Sequence, residues 1–163
     1  GTGNRQAGRY FEAAAQAVAQ LGLRAIFLTP HREQLPGSLP PSICWQDYVP
    51  LKALLPHVAA LVHHGGIGTT AEALRAGTPQ LVVPLAHDQF DNAARVMALG
   101  AGVSLHATKV TARRMGDALS RLINDAEYTR RCAGIAMSQA QEPAIDGLCA
   151  ALETLVSHPS HVH

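Results

Sequence analysis

The sequence is short of charge, of cysteine and of long apolar runs, and each shortage closes a class of function. Charged residues make up only 15% of the chain, and 13 Lys and Arg against 12 Asp and Glu leave a net charge of +1. Such a chain offers no electrostatic field to a nucleic acid or an anionic membrane, so an anionic ligand must be held by local geometry, which points to a small ligand. Three cysteines, Cys44, Cys132 and Cys149, are an odd number without a C-x-x-C pair. Neither a disulfide framework nor a zinc site follows, and the three are expected to be reduced core residues of a cytoplasmic protein. No apolar run reaches the roughly 18 residues of a membrane span, and the N-terminus lacks the charged-then-apolar pattern of a signal peptide. The absence of any G-K-[ST] excludes a P-loop.

What is present is an alternation of helix and strand signals in a chain of 163 residues that is 47% hydrophobic, about one domain with one core. Phe11, Ala14, Val18 and Leu21 recur at helical spacing before Gly22, which predicts a helix over 10–21. Short apolar runs predict strands at 24–29, 42–49, 59–64, 80–84 and 102–106. Between them fall a helical turn in "LKALLPH" and helices in "TTAEALRAG" and "QFDNAARVMALG", the last two stopped by Gly77 and Gly100. Helical segments at 112–123, 126–141 and 145–156 close the chain. Apolar strands separated by helices predict a doubly wound α/β domain with a parallel sheet covered on both faces. Ligands of such sheets bind where strand ends feed the following helices.

"VHHGGIGTTAE", residues 62–72, lies at such a place. Gly65, Gly66 and Gly68 allow a tight turn and a close ligand approach. The helix starting at about Ile67 to Thr69 then aims its unpaired N–H groups at an anion. A helix N-terminus contributes only about 0.3–1 kcal/mol for an exposed anion. A diphosphate needs more, which the hydroxyls of Thr69 and Thr70 and one imidazole can supply. Neighbouring side chains of a strand point to opposite faces, so His63 and His64 cannot both meet one ligand, and His64 is nearer the glycines. The divergence also argues against zinc. "GIGTTA" with Asp88 further on fits a dinucleotide fingerprint as well, so an NAD-binding oxidoreductase domain stays open. So does a non-catalytic nucleotide-binding module.

The stretch "W…VP…LLPHVAALVHHGGIGTTAEALRAGTPQLVVPLAHDQFDNA" resembles the donor-binding signature of GT-B glycosyltransferases of the UDP-glycosyltransferase type, including bacterial enzymes that act on lipids, sterols and antibiotics. The match runs from about Trp45 to Ala101. Its ordered elements are His64, Gly66, Glu72, Gly77-Thr78-Pro79, Pro84 and Asp88-Gln89. Ile67 and Gly68 stand where plant members carry tryptophan and asparagine.

The resemblance implies an inverting hexosyltransferase using a UDP- or dTDP-sugar, with no further cofactor and no metal. His64, the backbone of Gly66 and Gly68, and Thr69 would hold the diphosphate, with Thr2 of "GTGN" reaching it from the loop after the domain's first strand. Glu72 would accept the ribose hydroxyls, and Asp88 and Gln89 those of the sugar. Asp88 has a second reading as the N-cap of the following helix. The base would lie on the Trp45 to Val49 segment, where Trp45 is open to stacking or to burial in the core. Residues 1–163 are thus expected to be a single donor-binding domain, the C-terminal half of a GT-B fold lacking its first strand. In the 3-2-1-4-5-6 order that strand is central, so either a contact such as a partner chain or dimer mate fills the gap, or the sheet rearranges. No catalytic residue is expected here. The base and the site for a small-molecule or lipid acceptor would belong to an N-terminal domain, and this part alone would be inactive.

Overall fold

The computed structural model describes residues 2–141, with backbone alone for 2–7. Among the described residues six α-helices and five strands follow in the order α1 (Thr2–Gln20), β1 (Ala25–Leu28), β2 (Ile43–Gln46), α2 (Leu51–Leu54), β3 (Leu61–His63), α3 (Ile67–Ala76), β4 (Gln80–Val82), α4 (Gln89–Ala98), β5 (Gly102–Ser104), α5 (Ala112–Asn124) and α6 (Ala126–Gln141). All strand pairs are parallel, as continuous apolar strands with helical crossovers require. The helices α3 and α4 stop at Gly77 and Gly100, both in the left-handed region, as read from the sequence. The expected helix at 145–156 lies outside the described residues.

The parallel sheet is broken in two. β1 pairs only with β2, and β3, β4 and β5 form the second sheet in that order. In a 3-2-1-4-5-6 arrangement β1 and β2 take the second and third places and β3 to β5 the fourth to sixth. The break therefore falls at the place of the first strand. One apolar core nonetheless spans both sheets: Phe27 of β1, Ile43 of β2 and Leu81 of β4 share it with Ala17 and Val18 of α1 and Met115, Leu119 and Leu122 of α5. On the other face of β4, Val82 packs with Ala93 and Val96 of α4, Ala101 and Cys132 of α6. Alternation along β4 thus sends successive side chains to two different helical layers, and this central strand is buried along its whole length.

Two expectations are corrected here, and one of the two readings left open for Trp45 is removed. "GTGN" is not a loop, because α1 already begins at Thr2; the alanine-rich sequence that follows extends its helical register back over this segment. Cys44 is exposed while Cys132 is buried, since Cys44 shares with its exposed neighbour Ile26 the face of the β1–β2 pair opposite the one that carries Phe27 and Ile43 into the core; Cys149 lies outside the described residues. Trp45 is not a core residue: it is 36% exposed, its indole N–H donates to the Thr29 carbonyl at 2.9 Å, and the Arg32 guanidinium lies 5.6 Å from its ring centre.

Candidate functional site

The two histidines diverge. His63, the last residue of β3, is 7% exposed. Its Nε2 lies 2.9 Å from Gln80 Oε1, and its Nδ1 accepts the Gly65 N–H at 3.1 Å. An amide oxygen on one side and an N–H on the other fix the neutral tautomer with the proton on Nε2. Burial holds its pKa down at about 4, against a partial opposing effect of the Gln80 hydrogen bond and a further lowering from His64. His63 is therefore a structural ring that props up the glycine turn. His64 follows on the exposed side, with Nε2 only 3.0 Å from where a side chain on Gly66 would begin. It lies over the start of α3.

Gly65 makes the turn possible. Its φ is +94°, and a Cβ there would meet Val82 Cγ1 at 2.9 Å and the Gln89 carbonyl oxygen at 3.0 Å, so backbone conformation and close packing each demand glycine. The same contact seats the turn directly against the Asp88-Gln89 loop. Gly66 is the N-cap of α3, in extended conformation and with no side-chain cap. The first helical bond runs from the Thr70 N–H to the Gly66 carbonyl at 2.9 Å. Among the described residues the N–H groups of Ile67, Gly68 and Thr69 have no acceptor and stay open at the positive end of the helix dipole. Around Gly68 a Cβ would meet nothing within 4 Å. No neighbour among the described residues demands glycine there.

The remaining sequence-predicted residues take varied positions. Thr69 is half-buried. Thr70 is unavailable, because it is buried and its hydroxyl donates to the Gly66 carbonyl at 3.0 Å; a threonine four residues into a helix can satisfy itself on the preceding turn. Glu72 follows Gly68 by four residues and so shares its face of α3, paired at 3.1 Å with Arg75. Gln89 turns its Oε1 back to accept the N–H groups of Leu85 at 2.8 Å and Ala86 at 3.1 Å, which leaves its amide N–H groups to donate outward. Asp88 occupies the N-cap position of α4 but makes no side-chain cap, correcting that expectation. Its φ of −60° and ψ of −15° are already helical, and an N-cap carboxylate needs an extended backbone to reach the N–H groups ahead. Trp45 and Val49 lie on and after β2, in the other sheet from His64. Thr2 stands at the head of α1, with a side chain outside the described atoms.

Sequence reasoning missed two residues here. Asn92 is buried, and its Nδ2 donates to the Gly65 carbonyl at 2.9 Å and to Asp88 Oδ2 at 3.2 Å. His87 adopts a left-handed backbone, φ +53°, immediately before Asp88. A one-turn offset from Asp88 was the available signal for Asn92; nothing in the residue types announced His87. Two shallow depressions line α5 and the α4–α6 seam away from the glycine turn, where His64, Ile67 and Gly68 are exposed and make an open shelf among the described residues. Among the described residues no three His, Cys, Asp or Glu side chains gather as metal ligands. No described helix is long and apolar enough to cross a membrane.

With this shelf in view, the comparisons with known proteins are decisive. Residues 13–155 match the family model described as "Erythromycin biosynthesis protein CIII-like, C-terminal domain". The chain belongs to this family. It is 36% identical over 145 residues to the aclacinomycin-T 2-deoxy-L-fucose transferase of Streptomyces galilaeus, covering 87% of this chain and 33% of that enzyme. Among solved structures, the calicheamicin glycosyltransferase CalG4 superposes with a TM-score of 0.82 at 26% identity, over 94% of this chain and 39% of its own. Spinosyn rhamnosyltransferase SpnG complexed with thymidine diphosphate superposes with a TM-score of 0.80 at 29% identity, over 89% of this chain and 40% of its own. The chain thus spans about a third of the length of the aclacinomycin transferase. It is a C-terminal domain of the glycosyltransferase type with the Rossmann-like α/β fold of its neighbours.

Proposed function

We propose that this domain binds the nucleotide-sugar donor of an inverting glycosyltransferase, with the diphosphate on the shelf between His64 and the N-terminus of α3. The observation that carries the reading is the uncapped helix start at Gly66, with open space over Gly68 and an exposed imidazole beside it. Three free N–H groups and a ring nitrogen aimed at one point stabilise the negative charge that grows on a departing diphosphate. They would take the place of a metal cation. Glu72, on the same face, would receive the ribose hydroxyls, and its exposed ion pair with Arg75, worth about 0–1 kcal/mol, is a small obstacle. Gln89 would donate its free amide protons to the sugar, and Asp88 would accept from it. Trp45 to Val49 remains the segment proposed for the base. By resemblance the acceptor and the base that deprotonates it belong to another domain, so this domain by itself is expected to bind nucleotide and transfer nothing.

The solved neighbour carrying thymidine diphosphate supports a nucleoside diphosphate over a dinucleotide. The NAD reading is also weakened by Asp88, which is tied to Asn92 in the loop before α4 and is not at the end of a second strand, where a ribose-binding acid belongs. Calorimetry with UDP, dTDP and NAD tests the proposal. Binding of UDP or dTDP in preference to NAD is expected; preference for NAD overturns it.

A further inference from the structure

We infer that Asn92 is a positioning residue that holds the Asp88 carboxylate in register with the diphosphate shelf, an inference that rests on the donor-binding reading above. Asn92 is 6% exposed, one helical turn after Asp88 on α4. Its single Nδ2 reaches two acceptors at once, the Gly65 carbonyl at 2.9 Å and Asp88 Oδ2 at 3.2 Å. Both partners only accept, so the bridge demands two N–H donors on one atom. Asparagine meets that demand. Serine or threonine has one donor, and aspartate would set a third acceptor against a carbonyl and a carboxylate.

The bridge joins parts of the chain that are 27 residues apart, the glycine turn after β3 and the loop after β4. Asp88 is exposed and makes no cap, and among the described residues its carboxylate has no other partner. Asn92 therefore selects one Asp88 rotamer and anchors it to the backbone whose next residues form the shelf. The other Asp88 oxygen is left to accept from a bound sugar. Without the bridge, a mobile carboxylate must be ordered by the ligand itself, which lowers affinity by about 3- to 10-fold.

The consequence is a selective effect. The readout is affinity for UDP-glucose relative to UDP, and for dTDP-glucose relative to dTDP, measured by calorimetry on the full chain. Asn92→Ala should lower this ratio 3- to 10-fold, and Asp88→Ala should lower it at least as far. The double variant should fall no further than Asp88→Ala, because Asn92 acts through Asp88. Asn92→Ser, with one donor, should retain part of the ratio and serves if the alanine variant does not fold. Equal losses for nucleotide and nucleotide-sugar, or additive losses in the double variant, would reduce Asn92 to a packing role and overturn the inference while leaving the donor site standing. An unchanged ratio in Asp88→Ala would instead overturn the sugar assignment, and the inference with it.

Discussion

Gly68→Ala should stabilise the domain and cripple its ligand binding at the same time. Gly68 is the second residue of α3, its φ is not positive, and a Cβ added there meets nothing within 4 Å. Alanine therefore fits without strain and removes unfolded-state freedom, a gain of about 0.4–1 kcal/mol. For a domain of this size that raises Tm by about 1–4 °C. The same methyl would project into the space over the open N–H groups of Ile67 to Thr69. Displacing one charge-assisted hydrogen bond to a phosphate oxygen costs about 1.5–3 kcal/mol, or roughly 10- to 100-fold in affinity. Thermal denaturation and calorimetry with UDP and dTDP read the two effects separately. A lowered Tm would mean that glycine serves the helix itself, and an undiminished affinity would mean that the ligand does not lie over Gly68. Either result refutes the reasoning.

Stability should fall with pH through His63. Its folded pKa of about 4 lies below the unfolded value near 6.5, so the unfolded chain takes up a proton first as pH drops. The loss accumulates between about pH 6.5 and 4, amounts to roughly 2–4 kcal/mol and levels off below. Urea denaturation across that window should show the slope, and His63→Gln should flatten it; an unchanged slope in the variant would assign it to other groups. Gln89→Glu keeps oxygens that accept from Leu85 and Ala86 but replaces the outward donors with a negative charge that repels any diphosphate, so UDP-glucose should lose roughly 10-fold more affinity than UDP does; equal losses in calorimetry would remove Gln89 from the sugar site. Glu72→Ala breaks only an exposed ion pair, so Tm should move by less than about 2 °C while UDP affinity falls about 10-fold. Unaltered UDP binding would take the ribose contact away from Glu72.

The fold was largely legible because its strands are apolar runs and the helices between the later strands end at glycine. Gly77 and Gly100 stop α3 and α4, and the buried face of α5 presents Met115, Leu119 and Leu122, as helical spacing predicts. The opposite facing of His63 and His64 followed from strand alternation alone. What escaped was decided by partners distant in sequence. Nothing local shows that Asn92 reaches Gly65, or that Trp45 is held half-exposed by the Thr29 carbonyl. Rotamer choices were equally hidden: Thr70 satisfies its hydroxyl within its own helix, and a helical backbone at Asp88 forbids the cap that its residue type suggests. The start of α1 was missed because the resemblance put Thr2 of "GTGN" in a loop, whereas the helix that follows sets its conformation.

The central claim is that a nucleoside diphosphate rests on the open end of α3 beside His64. A heteronuclear NMR titration with UDP and dTDP tests it most directly. The account predicts that the largest shifts fall on the amides of Ile67, Gly68 and Thr69 and on the His64 ring, while the buried His63 ring moves little. Saturating shifts that cluster elsewhere and leave those amides in place would contradict it.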